Sequence, residues 1–260
     1  MSSKRIKRLT ACPKDAKLNK SEMMRDGGVC MKRLAARLIK LLTGIFLVSL
    51  GIVMTCQAGL GIAPWDVLHQ GISSITPLTM GQVSISVGLI ILAIDCMARE
   101  RIGLGTIVNL VFIGAFLDMI NAVNARFCLI PKAETLPMGL FLLFLSLPVT
   151  AMGLYCYMSP KLGAGPRDSL MVAIKRRVPF SVGVCRMAIE AVALTVGWLL
   201  GGSVGIGTVV LVLCSGPVMQ FFFRVFHFDV AAEPNESIAE TLSFIRARCT
   251  ANRAEERKNA

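Results

Sequence analysis

The sequence predicts an all-α polytopic membrane protein: six transmembrane helices arranged as two inverted three-helix repeats, each with a short half-helix between its first two spans. Three observations predict it. Of the 260 residues, 54% are hydrophobic and 17% charged, with a mean hydropathy of +0.66, whereas a soluble domain carries about 25% charged residues. The apolar residues fall in runs near the length of about 20 that crosses a hydrocarbon core. Finally, residues 60–68 read LGIAPWDVL and residues 162–170 read LGAGPRDSL, 102 positions apart.

The first segment, 1–36, is a basic tail, and twelve Lys and Arg lie between Lys4 and Lys40. It is too long, and the apolar run after it too extended, for a cleaved signal peptide. The positive-inside rule holds it in the cytoplasm. Spans follow at 38–58, 81–98, 105–123, 138–158, 183–200 and 205–225. The connections alternate in charge. Those at 59–80 and 201–204 have no Lys or Arg, whereas Arg99 and Arg101 follow the second span and Lys161, Arg167, Lys175, Arg176 and Arg177 follow the fourth. Arg126 and Lys132, after the third span, run against the pattern. Basic residues from Arg246 to Lys258 mark 227–260 as a second cytoplasmic tail, in which Ile238, Leu242 and Ile245 predict a short amphipathic helix. The net charge of +12 is therefore an orientation signal along the chain and not a nucleic-acid-binding face.

Aligned at an offset of 102, residues 37–124 and 139–226 share 18 of 88 positions. The organisation is thus repeat 1 at 37–124, a loop at 125–136 and repeat 2 at 137–226. The matches cluster in the L-G-x-x-P-x-D-x-L motif, and again where Gly103, Gly105, Thr106 and Val108 meet Gly205, Gly207, Thr208 and Val210. Each repeat holds an odd number of spans, so the second copy sits upside down relative to the first. Many secondary transporters use this inverted plan, with a central site between the halves.

Within the motif, Gly61 ends the first span, Pro64 presets φ for the first turn of a new helix, and Asp66 lies in that turn. The helix runs to about Thr76 and is stopped by Pro77. A dozen residues reach about 18 Å, short of a core of about 30 Å. Gly163, Pro166 and Asp168 repeat the pattern, with Arg167 where the first copy has Trp65. Two such half-helices inserted from opposite faces bring their N-termini towards the midplane, where aspartates favour a proton or a cationic group. The structural alternative makes each Asp a helix cap and Arg167 an orientation residue. Glu190, in the fifth span, lies four residues after Arg186 and pairs with it or couples an ion. Asp118 stands near a boundary, Asn109 is deeper and can bond between helices, and Asp95 pairs with Arg99.

Nine scattered Cys and two His form no CxxC pair and no metal-ligand spacing. There is no Gly-Lys phosphate loop, HExxH or Ser/His/Asp set, so the sequence points to no catalytic residue, no metal and no cofactor.

The motif L-G-x-x-P-W-D-V-L-H-x-G at 60–71, its degenerate copy at 162–170 and the paired G-x-G-T segments resemble the YczE-type branch of the YitT-like bacterial membrane proteins. The resemblance covers about 37–226 and implies a multi-span, internally duplicated fold in a bacterial plasma membrane. It lends no substrate, and the second copy lacks the Trp and His of the first. The expected function is secondary transport of a small solute by alternating access, in a lipid bilayer and with a coupling ion. The pathway candidates are Gly61, Pro64, Trp65, Asp66, His69, Gly163, Pro166, Arg167, Asp168 and Glu190. The alternative is a membrane scaffold that serves a biosynthetic or signalling complex through its basic tails. Oligomeric state is left open.

Overall fold

A computed structural model describes residues 20–98, 103–163, 165–179 and 182–227. The chain divides into two compact units, Met1–Leu38 and Ile39–Ala260. The first is helical from Lys20 within its described residues. The helices are α1 (Lys20–Ala58), α2 (Pro64–Ile75), α3 (Met80–Met97), α4 (Leu104–Phe127), α5 (Leu136–Met158), α6 (Pro166–Lys175), α7 (Val182–Leu199) and α8 (Ile206–Val225). Among the described residues there is no strand.

Five helical segments there are long and apolar enough to cross a membrane: Ala35–Ala58, Met80–Met97, Leu104–Phe127, Leu136–Met158 and Ile206–Val225. The sixth expected span coincides with α7, whose apolar stretch is the shorter Met187–Leu199. Helix α1 begins well before the apolar run it was expected to share, because the basic tail is already helical from Lys20. Arg99, Arg101 and the amphipathic stretch around Ile238, Leu242 and Ile245 lie outside the described residues.

Local chemistry explains the boundaries. Ala63 is extended and Pro64 opens α2, and Thr76 is extended again immediately before Pro77. Helix α3 starts with a capping box in which the Thr79 side chain accepts from the Gln82 N–H and the Gln82 side chain accepts from the Thr79 N–H. Asp118 reaches over from α4 to the same end, accepting from the Thr79 hydroxyl at 2.5 Å and from the Gly81 N–H at 3.0 Å. Asn124 closes the turn after α4, donating to the Ile130 carbonyl and accepting from its N–H.

Small residues set the helix contacts, as packing in a bilayer requires. Helix α1 meets α5 at Gly44 and Gly153, and α3 meets α4 at Gly81 and Gly114. Helix α2 lies against α7 so closely that a Cβ on Gly197 would stand 2.4 Å from the Leu68 nitrogen. Large apolar side chains such as Phe141, Phe144, Trp198, Leu213 and Phe221 point outward, which suits lipid and not water.

The two copies of the motif are fastened crosswise. The Gly207 N–H donates to the Leu60 carbonyl at 2.7 Å, and the Gly105 N–H donates to the Leu162 carbonyl at 2.8 Å. Gly61, at φ +107°, presses on Gly205 and Thr208, and Gly163, at φ +141°, presses on Gly103 and Thr106. Each L-G turn therefore docks on the G-x-G-T segment of the other half. Thr106 and Thr208 are buried there and accept from the N–H groups of Gly103 and Gly205, both at 3.3 Å.

Candidate functional site

Helices α2 and α6 both open with the Pro-x-Asp turn, and their first turns meet. Trp65 and Arg167 occupy matched positions in the two copies and face each other, with the guanidinium 4.9 Å from the indole ring centre. This is a cation–π contact, stronger where water is excluded. Arg167 Nη2 also lies 3.4 Å from Nε2 of His69. A guanidinium can only donate, so Nε2 accepts and the imidazole proton sits on Nδ1. That nitrogen faces Asp66 Oδ1 at 3.8 Å. Asp66 is 5% exposed and His69 1%.

Helix α2 lies outside the membrane-spanning segments, and the electrostatics follow from its burial. Burial raises the Asp66 carboxyl above its ordinary range, and the positive charge of Arg167 opposes part of that rise. Burial lowers the His69 imidazole well below its usual value, and Arg167 lowers it further. His69 is therefore neutral at pH 7, as the acceptor role of Nε2 requires.

Two polar cavities abut this centre. One, of about 190 Å³, reaches between α3 and α4, and the other, of about 220 Å³, reaches between α1, α5 and α8. Trp65, Arg167 and Glu190 line both, at a level also marked by Val48, Ile113 and Leu154. Away from that level the cavities run in opposite directions along the same helices. On α5 the first continues to Tyr157 and the second back to Leu147. On α1 the second continues to Thr55, and on α4 the first runs back to Asn109.

The expected site residues thus separate into groups. Trp65, Asp66, His69 and Arg167 gather at one point, Glu190 borders both cavities, and Pro64 and Pro166 line one cavity each. Gly61 and Gly163 sit instead in the crossed docking turns. The side chains of Asp168 and Arg186 lie outside the described residues. Asp118 serves the start of α3 and does not line either polar cavity. Sequence reasoning passed over Tyr157, whose hydroxyl accepts from the Gly165 N–H at 3.2 Å at the mouth of α6. Its signal was a buried tyrosine in an otherwise apolar run, since such a hydroxyl needs a partner. Among the described residues no three His, Cys, Asp or Glu side chains gather closely enough to hold a metal ion.

Long apolar helices around a buried polar centre define a helical membrane protein. The chain belongs to the family of unknown function DUF6198, which matches residues 35–224. It is 34% identical over 185 residues to an uncharacterized protein of Haemophilus influenzae, covering 71% of this chain and 82% of that one. It is 31% identical over 180 residues to the uncharacterized membrane protein YczE of Bacillus subtilis, covering 68% and 81%. The uncharacterized protein YyaS of Bacillus subtilis is 30% identical over 187 residues, covering 70% and 90%. The kinship with YczE agrees with the resemblance carried by residues 60–71. No solved structure matches the chain.

Proposed function

We propose that this protein is a secondary transporter of a small solute, working by alternating access. The observation that carries the reading is the pair of polar cavities that extend in opposite directions from one level, where Trp65, Arg167 and Glu190 form the shared wall. In this reading the halves offset by 102 residues are inverted copies, with α7 as the fifth of six spans. Two features support it. Trp65 and Arg167 are equivalent positions in contact with each other, as residues beside an axis relating two halves must be. The crossed bonds of Leu60 and Leu162 are likewise equivalent to each other.

The basic loops orient both termini to the cytoplasm of a bacterial plasma membrane. Opening one cavity while closing the other then moves a bound solute past the wall. The reading contains no bond-making step: Arg167 and Glu190 hold charged groups of the solute. Asp66, with its raised carboxyl beside the neutral His69, takes up and releases the coupling proton.

The test is thermal unfolding of the purified protein against a library of small polar solutes, beside Arg167→Gln. A ligand at 100 times its Kd stabilises by about 2.7 kcal/mol, enough to see as a melting shift. A hit that disappears in the variant supports transport. A library without hits, together with loss of cellular function on deleting residues 1–30 and 231–260, moves the scaffold reading ahead.

A further inference from the structure

Resting on the transporter reading, we propose that the solute is a zwitterionic amphiphile: its charged head sits against Arg167 and Glu190, and its apolar chain lies in a groove between α2, α6 and α7. That groove is a third cavity, of about 430 Å³, roomier than either polar one. Leu68 from α2, Leu170 and Ile174 from α6, and Val192 and Val196 from α7 line it. It is continuous with the polar centre, because Trp65 and Ile189 border both the groove and the first polar cavity. Trp65 borders all three spaces, and its ring carries Arg167 on its face. Val192 and Val196 are 65% and 42% exposed, so the groove opens on the outer surface of the helices, where lipid chains run.

The head is matched by size and by charge. A dry cavity of roughly 150 Å³ takes up benzene, so the polar cavities of about 190 and 220 Å³ hold a head of amino-acid size. Arg167 and Glu190 line the same two cavities. A head of one sign would place a like charge beside one of them, whereas a zwitterion pairs with both. A wholly polar solute would leave the groove unused, and a plain hydrocarbon would strand both charges. An amphiphile uses all the surfaces that converge on Trp65.

The experiment measures binding of straight-chain 2-amino acids, from alanine to 2-aminodecanoate, to the full-length protein in lipid nanodiscs. The head is constant across this series and only the chain grows. We expect affinity to rise about fourfold per methylene, as burial of hydrocarbon requires. Val192→Trp, which fills the groove from its exposed rim, flattens that rise and leaves alanine's affinity unchanged. Leu170→Trp does the same from the opposite wall, and Arg167→Gln weakens every member. Affinity independent of chain length overturns the proposal, and so does a rise that survives both Trp variants, since the chain then lies in the bilayer. If alanine binds with no chain-length effect and is lost in Arg167→Gln, the transporter reading stands and the amphiphile falls. If the series does not bind but a purely cationic or anionic solute does, only the substrate class is overturned. Absence of binding by the series and by the solute library together overturns both readings.

Discussion

Asp66 sits buried with a neutral imidazole as its nearest titratable neighbour and a guanidinium one residue further out. Its folded-state carboxyl lies above the ordinary range, so its contribution to stability is present at low pH and is lost as pH rises through that raised value. Asp66→Asn removes the charge and keeps the shape. It should exceed wild type by about 1–3 kcal/mol at pH 8, and the advantage should vanish towards pH 5. Melting curves across that range check it, and a variant less stable than wild type at every pH would make Asp66 a helix cap. The glycines of the motif offer a second comparison. A Cβ at Gly61 would fall 2.6 Å from the Gly205 nitrogen, and one at Gly163 would fall 2.8 Å from the Gly103 Cα, both at positive φ. Gly59 also has positive φ, at +66°, but nothing lies within 4 Å of its Cβ position. Gly59→Ala should therefore cost about 1–2 kcal/mol from backbone strain alone. Gly61→Ala and Gly163→Ala should each cost at least about 2 kcal/mol more, because backbone must move.

At the scale of single helices, local signals were readable and long-range ones were not. Pro64 and Pro77 bracketed α2 to within a residue, and the apolar runs marked α3, α4, α5 and α8 closely. The start of α1 was hidden, because a basic amphiphilic segment can continue a helix without any apolar signal. The Thr79–Gln82 box was written plainly as T-M-G-Q but was read as part of a loop. No periodicity could announce that Trp65 would meet Arg167, or that Leu60 would bond Gly207, since those pairs depend on how distant halves dock. The G-x-G-T segments were seen as turns; their actual partners are the opposite motif's glycines. The cap of α3 yields a test. Thr79→Ala removes the box and the hydroxyl that Asp118 holds, and should lower stability by about 1–2 kcal/mol in chemical unfolding. Thr79→Ser should restore nearly all of it.

For the molecule as a whole, the two-cavity arrangement makes a sided prediction. In a background without native cysteines, single cysteines would be placed at Thr55 or Ser215 for one cavity and at Ser84 or Asn109 for the other. A membrane-impermeant thiol reagent applied to intact or inverted vesicles should label the two pairs from opposite faces. Labelling of all four from one face would leave a single vestibule and no route across. The crossed bonds carry a consequence for biosynthesis. When the ribosome has finished residues 37–124, the Leu60 carbonyl and the Gly105 amide still lack the partners they have in the native fold, at Gly207 and Leu162. Unsatisfied backbone groups inside a bilayer cost several kcal/mol each. The first half is thus an unfinished product whose maturation waits for the last helix to be inserted. Quality-control proteases have a natural checkpoint there, and two halves made as separate chains have reason to find one another.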